Sequence, residues 1–182
     1  MLAVQNKLPY RYMKTELRQL LKSMTILVDT QEQKNKHITL YLSKHNTPFK
    51  SKKLEFGDYS MMLPANEELG IIRDIYFDNQ IAIERKSNLE ELSNNLTQGR
   101  TQFENELIRA SNSKLILLIE DARAYEKILN HNYNTKYKPK SFLGSLMAFQ
   151  ARYDIDIQFL NSSYSGNFIR WTFYYWLREF LK

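Results

Sequence analysis

The sequence predicts an α/β fold, one domain with a mixed sheet flanked by helices. Short apolar or β-branched runs alternate with helix-length amphipathic segments, and no repeat or low-complexity linker breaks the alternation. Three predicted strand ends carry an acid, Asp29, Asp58 and Glu84, and strand ends along one edge of an α/β sheet can converge on one site. The chain has 182 residues, enough for one domain with a real core and too few for two of ordinary size.

In order, residues 12–23 predict an amphipathic helix, with Leu17, Leu20 and Leu21 on one side and Lys14, Glu16, Arg18 and Lys22 around the rest. Residues 1–23 read as a helical extension ahead of a main domain at 24–182. The β-branched run at 25–28 ends at Asp29 and fits a buried strand. Residues 33–45 predict a second helix with Ile38, Tyr41 and Leu42 inward, ended by Pro48. A basic extended piece at 49–54 follows. Gly57 then breaks the chain before a strand at 58–63. After a loop at 64–70, residues 71–77 and 80–84 read as the two strands of a hairpin turning at Asp78-Asn79. Residues 89–111 predict a long helix with a stripe of Leu92, Leu96, Phe103, Leu107 and Ile108, and Gly99 places a break in its middle. The apolar strand at 114–119 ends in Glu120-Asp121. A short helix at 124–129 and a polar, basic loop at 130–140 come next. Ser141 can cap a helix running to Arg152. A strand at 154–160 and a helix at 165–182 close the chain.

Composition narrows the chemistry. The hydrophobic fraction is 43% and the charged fraction 25%, the balance of a soluble globular protein. Basic residues outnumber acidic ones, 26 to 20, and the net charge of +6 favours an anionic partner without identifying it. The absence of cysteine excludes disulfides, thiolate metal sites and cysteine nucleophiles. His37, His45 and His131 are not spaced as a zinc pair on one helix turn, which argues against a zinc enzyme. Residues 1–9 lack the apolar core of a signal peptide, and no apolar run approaches a membrane span, so the expected location is intracellular.

The most informative stretch is Ile81-Ala82-Ile83-Glu84-Arg85-Lys86. Strand alternation points Glu84 and Lys86 one way, beside the small Ala82, and Arg85 the other way with Ile81 and Ile83. A carboxylate can hold a divalent metal, and a lysine beside it can orient a water or offset developing charge. These are two of the parts that cut a phosphodiester, and Gly57-Asp58 offers a second acid. The same letters also fit a strand end with surface charges.

Gly57-Asp58 followed by Glu84-Arg85-Lys86, with an acid at Glu90, resembles the GD…ERKxxxD signature of XPF-type structure-specific endonucleases. Val28-Asp29-Thr30-Gln31-Glu32 resembles that family's VDxRE element. Gly99-Arg100 and the Leu115–Glu120 run sit where the family has its GR helix and LLIE strand. The resemblance implies a restriction-endonuclease-like core related to the PD-(D/E)xK nucleases. It also implies cleavage of branched DNA with Mg2+ or Mn2+, a homodimer, and work in DNA repair or recombination. By position, Asp58 and Glu84 would bind the metal, Asp29 would be a third acid facing it and Glu32 a supporting acid. Lys86 would activate the attacking water, Arg85 would fix local structure or a phosphate, and Arg100 would support the site from the following helix.

Four departures accompany the match. Gln31 replaces the usual arginine of VDxRE, and Glu90 replaces the final aspartate. The stretch between Asp58 and Glu84 is longer than usual, so residues 65–79 should extend the hairpin. No tandem helix-hairpin-helix domain follows, a compact arrangement similar to small phage- and prophage-encoded nucleases.

Two basic clusters could track a phosphate backbone: Lys50, Lys52 and Lys53, and Lys136, Lys138 and Lys140 with Tyr133 and Tyr137 available to stack on unpaired bases. Each also reads as a solvated loop. The last helix carries Phe168, Trp171, Phe173, Tyr174, Tyr175, Trp176 and Phe180 and so predicts burial, in its own core or against a partner. Three functions remain open: a metal-dependent DNA endonuclease, a catalytically silent DNA-binding or scaffolding module on the same fold, and a nuclease for ordinary duplex DNA or RNA.

Overall fold

The structure is a computed structural model that describes residues 11–182. The signal-peptide reading of residues 1–9, and the first part of the 1–23 extension, lie outside the described residues. Strands β1 (Thr25–Val28), β2 (Phe49–Ser51), β3 (Tyr59–Leu63), β4 (Ile75–Tyr76), β5 (Ile81–Lys86), β6 (Lys114–Ile119) and β7 (Asp156–Phe159) form one mixed sheet. The order is β2-β1-β3-β5-β6-β7, with β4 paired to β3 beside the main path. β2 runs parallel to β1, β3 is antiparallel to β1 and β5, and β5, β6 and β7 are mutually parallel.

Helices α1 (Lys14–Ser23), α2 (Lys36–Lys44) and α7 (Ser165–Phe180) cover one face, and α3 (Leu89–Leu96), α4 (Arg100–Arg109), α5 (Ala124–Leu129) and α6 (Pro139–Tyr153) the other. The alternation of β5 and β6 sorts their side chains between these layers. Ile81, Ile83, Ile116 and Leu118 join the core under α1, α2 and α7, while Ala82, Leu115, Leu117 and Ile119 join the core under α3–α6. A strand buried on both faces reads as a continuous apolar run, which is why 114–119 has no polar face.

The expected hairpin does not form. β4 pairs with β3 through Met62↔Tyr76 and Leu63↔Ile75, whereas β5 meets β3 at Tyr59↔Ile83. β4 and β5 therefore occupy successive stretches of one edge of β3. The turn at Phe77–Ile81 passes the chain along that edge, with Phe77 N–H donating to Met61 O at 3.0 Å and Ile81 N–H to Phe77 O at 3.0 Å. The other edge of β5 pairs with β6 over all six residues, so no edge is left for a hairpin partner.

The break at Gly99 is real: α3 ends at Leu96, and Gly99 is the N-cap of α4. The later helix starts earlier than a Ser141 cap allows, because Pro139 takes its first turn, where a missing N–H costs nothing. Ile108 leaves the expected stripe and is 55% exposed. α7 is not buried all round. Ile169, Phe173, Leu177 and Phe180 face the core, and Tyr175 is 51% exposed. Gly166 is needed where α7 crosses α2, since a Cβ there would lie 2.6 Å from that of Tyr41.

Candidate active site

Gly57 adopts φ +72°, and a Cβ on it would sit 2.8 Å from the Ala82 Cβ and 3.3 Å from Ile83 O. Glycine here and alanine on β5 are thus one device: together they let the chain entering β3 press against the middle of β5. That approach is fixed by the Asp58 N–H donating to Ile83 O at 2.9 Å and by the Arg85 N–H donating to Asp58 Oδ2 at 2.7 Å. Asp58 and Glu84, distant in sequence, are brought to one place.

Glu84 and Lys86 share a face of β5 and form an ion pair at 2.5 Å, each side chain less than a tenth exposed. Lys86 Nζ also lies 5.2 Å from the centre of the Phe103 ring and 4.0 Å from Glu91 Oε1. Burial pushes the Asp58 carboxyl up to about 7, against the Arg85 N–H and the Lys86 charge, with Glu32 and Glu106 adding to the rise. Burial likewise holds Glu84 well above the usual carboxylate range, and the charge of Asp58 is the next cause. Burial works against the charge on Lys86, but the charge and hydrogen bond of Glu84 outweigh it, so the ammonium keeps its proton more tightly than an ordinary lysine.

Two largely buried acids close enough that the charge of one raises the other's affinity for a proton fit a cation. Asp58 Oδ1 and Glu84 Oε2 accept no hydrogen bond from the described residues, so each acid keeps an oxygen for a further ligand. No group of three or more carboxylates or imidazoles able to hold a metal ion occurs among the described residues. Magnesium fits so sparse a donor set, because it accepts one or two carboxylates and completes its shell with water and phosphate oxygens.

Arg85 points to the opposite face and is 5% exposed. Its guanidinium donates to Glu32 Oε1 at 2.8 Å, to Glu120 Oε2 at 2.7 Å and to the Lys34 carbonyl at 3.2 Å. His37 completes the clasp at 2.7 Å from Glu120 Oε1. Arg85 therefore ties β5, β6 and the segment after β1 together.

A model of the ERCC4 domain matches residues 28–170. The chain belongs to the ERCC4 domain family. No curated protein matches it. Among solved structures it is similar to XPF from Aeropyrum pernix, at 15% identity and a TM-score of 0.57, over 82% of this chain and 59% of that one. It is also similar to XPF from Aeropyrum pernix in complex with DNA, at 16% identity and a TM-score of 0.56, over 80% of this chain and 60% of that one. The chain thus spans about three-fifths of the length of both, and the restriction-endonuclease-like fold is the one the sequence predicts.

Within this ERCC4 domain the remaining candidate residues fall in several places. Asp29 lies at the end of β1, where Leu54 N–H donates to its Oδ1 at 2.7 Å and Gln31 N–H to its Oδ2 at 2.8 Å. Both its oxygens are engaged in holding loops. Lys52 pairs with Asp78 at 2.5 Å and Lys50 lies 3.8 Å from Asp74, both beside the Tyr76 ring, whereas Lys53 is exposed. Lys136, Lys138 and Lys140 are exposed and form no ion pair among the described residues. Tyr133 and Tyr137 do not present free rings, since both pack on Phe142 at 5.2 and 5.3 Å between centroids. Their loop is moored to α3, with Asn134 N–H donating to Glu90 Oε1 at 2.7 Å. Arg100 lies over Phe149 at 4.8 Å and reaches Ser145 at 3.4 Å, bracing α4 on α6.

Two site residues escape the sequence reading, and a third was read without its partner. Glu91 turns toward Lys86, while Glu90, one position earlier and on the motif's spacing, faces the 130s loop. Glu106 accepts the Gly57 N–H at 2.9 Å and adds negative charge beside Asp58 and Glu84. Its signal is faint, an acid one turn after Phe103. Glu120 was legible as a strand-end acid, but only the parallel pairing Lys86↔Ile119 sets it against Arg85.

Proposed function

We propose that this chain is a metal-dependent DNA endonuclease that hydrolyses phosphodiester bonds in branched DNA such as flaps, forks or junctions. The observation that carries the reading is the meeting of Asp58 and Glu84 beside the Lys86 ammonium. Family membership supports it, as does the DNA bound to one structural neighbour. Asp58 Oδ1 and Glu84 Oε2 would hold Mg2+ or Mn2+, which when bound acidifies water and offsets charge on phosphoryl oxygens. Lys86, whose charged form the neighbouring Glu84 favours, would supply a positive charge where the nucleophile and the phosphate meet. Gly57, Glu106 and the Arg85 clasp keep these groups in register. Asp29 contributes by holding the loop after β1.

The branched substrate, the work in repair or recombination, an intracellular, DNA-associated location and a homodimer complete the proposal. No described helix is long and apolar enough to cross a membrane. The dimer would use a face other than the core side of α7, and sedimentation showing only monomer at working concentration removes it.

One gel tests the reading. Labelled flap, fork, four-way junction, plain duplex and single strand are incubated with Mg2+ and, in parallel, with chelator. Cutting of a branched substrate that needs the metal and is lost in Asp58→Asn and Glu84→Gln, with DNA binding kept, is the expected result. Wild-type cutting by either variant overturns the assignment. Binding without cutting by the wild type makes the chain a silent module, and preference for plain duplex makes it a general nuclease.

A further inference from the structure

A groove of about 320 Å3 lies at the amino ends of β1 and β2, between α1 and α7. The candidate active site lies at the carboxyl ends of β1 and β5, so the length of the sheet separates the two. Arg18 and Lys22 of α1 and Arg170 of α7 line the groove together with Pro48, Trp171 and Tyr174. No acid lines it, none of the three cations forms an ion pair among the described residues, and residues 1–10 contain no Asp or Glu.

The aromatic side is equally specific. Trp171 is half-buried but belongs to neither main core cluster. Arg170 lies over it at 4.6 Å, Tyr174 meets it edge-on at 5.1 Å and Tyr175 lies tilted to it at 5.7 Å. An unpaired base can stack on this ring by taking the place of the Arg170 guanidinium, which is then free to meet an adjoining phosphate together with Arg18 and Lys22. A duplex keeps its base faces stacked within the helix, whereas an unpaired strand can offer them to a ring.

We propose that this groove binds single-stranded DNA, so that the protein holds an unpaired arm of its substrate away from the cut. The use of the groove in cutting rests on the endonuclease reading. Its occupancy does not, and binding in chelator separates the two.

The test is fluorescence anisotropy of oligo(dT) and of a blunt duplex of equal length, in chelator, across a salt series. Arg18 and Lys22 are exposed, so R18E/K22E keeps the fold intact even where W171A does not. R18E/K22E is expected to weaken oligo(dT) about tenfold at low salt and to reduce the salt slope by about 1.4, at about 0.7 per phosphate contact. W171A should weaken oligo(dT) at least about fivefold with little change in slope, and the duplex far less. Oligo(dT) affinity within about twofold of wild type in both variants overturns the proposal, and so does equal loss of duplex and single strand in W171A. Filling of the groove by residues 1–10 or by a second copy would give the first of these results, with a changed melting temperature or sedimentation.

Discussion

At Asp58 a proton would compete with the proposed divalent ion for one carboxylate. Its folded-state pKa of about 7 lies above the 3.8 of an unperturbed Asp, so the folded state binds the proton more tightly than the unfolded chain does. The stability this contributes is whole below the unfolded value and is lost as pH rises toward 7, a change of the order of a few kcal/mol. In chelator, the melting temperature of the wild type should therefore fall between pH 5 and 8 more steeply than that of Asp58→Asn, and equal slopes would remove Asp58 as the source. Gly57 is held as firmly. Gly57→Ala puts a Cβ against Ala82 in a left-handed backbone and should cost about 1–3 kcal/mol in denaturant melts. A neutral result would mean that the approach of β3 to β5 is slack.

The elements show what a one-dimensional reading can reach. The strands of 25–28, 81–86 and 114–119 were legible because apolar periodicity and length are local properties, and Gly99 marked its own break. The hairpin failed because Asp78-Asn79 looks like a turn in any context, while the choice between β3 and β5 as partner for β4 depends on an edge that β6 has already taken. Asp58, Glu84 and Lys86 were legible as residue types on strand ends. Glu106 and the two-acid grip on Arg85 were not, since each depends on a neighbour far along the chain. That grip is testable: Glu120→Gln leaves Arg85 buried with one acid, and should cost about 1–3 kcal/mol of stability while slowing any cleavage by loosening β5. Unchanged melting would make the clasp incidental. The loop from 130 to 140, moored to α3, carries three exposed lysines that form no ion pair among the described residues. Reversing Lys136, Lys138 and Lys140 to Glu should flatten the salt dependence of DNA binding by about 2 units for single strands. An unchanged slope returns the loop to ordinary surface.

Over the whole molecule, one sheet separates two kinds of chemistry. The carboxyl ends of β1 and β5, with the entry to β3, gather acids and the Lys86 ammonium. The amino ends of β1 and β2 gather cations that form no ion pair among the described residues, beside Trp171 and Tyr174. The two core layers hold these ends apart and rigid, and the net charge of +6 draws a polyanion to both. Such a division suits a substrate that is paired in one part and unpaired in another. The endonuclease reading depends on the acids near Lys86 sharing one divalent ion, and calorimetric titration of Mn2+ into the wild type, Asp58→Asn and Glu84→Gln reads that directly. The expected result is a saturable binding heat in the wild type that disappears in either variant while their circular dichroism is unchanged. Undiminished Mn2+ binding in both variants would contradict the account.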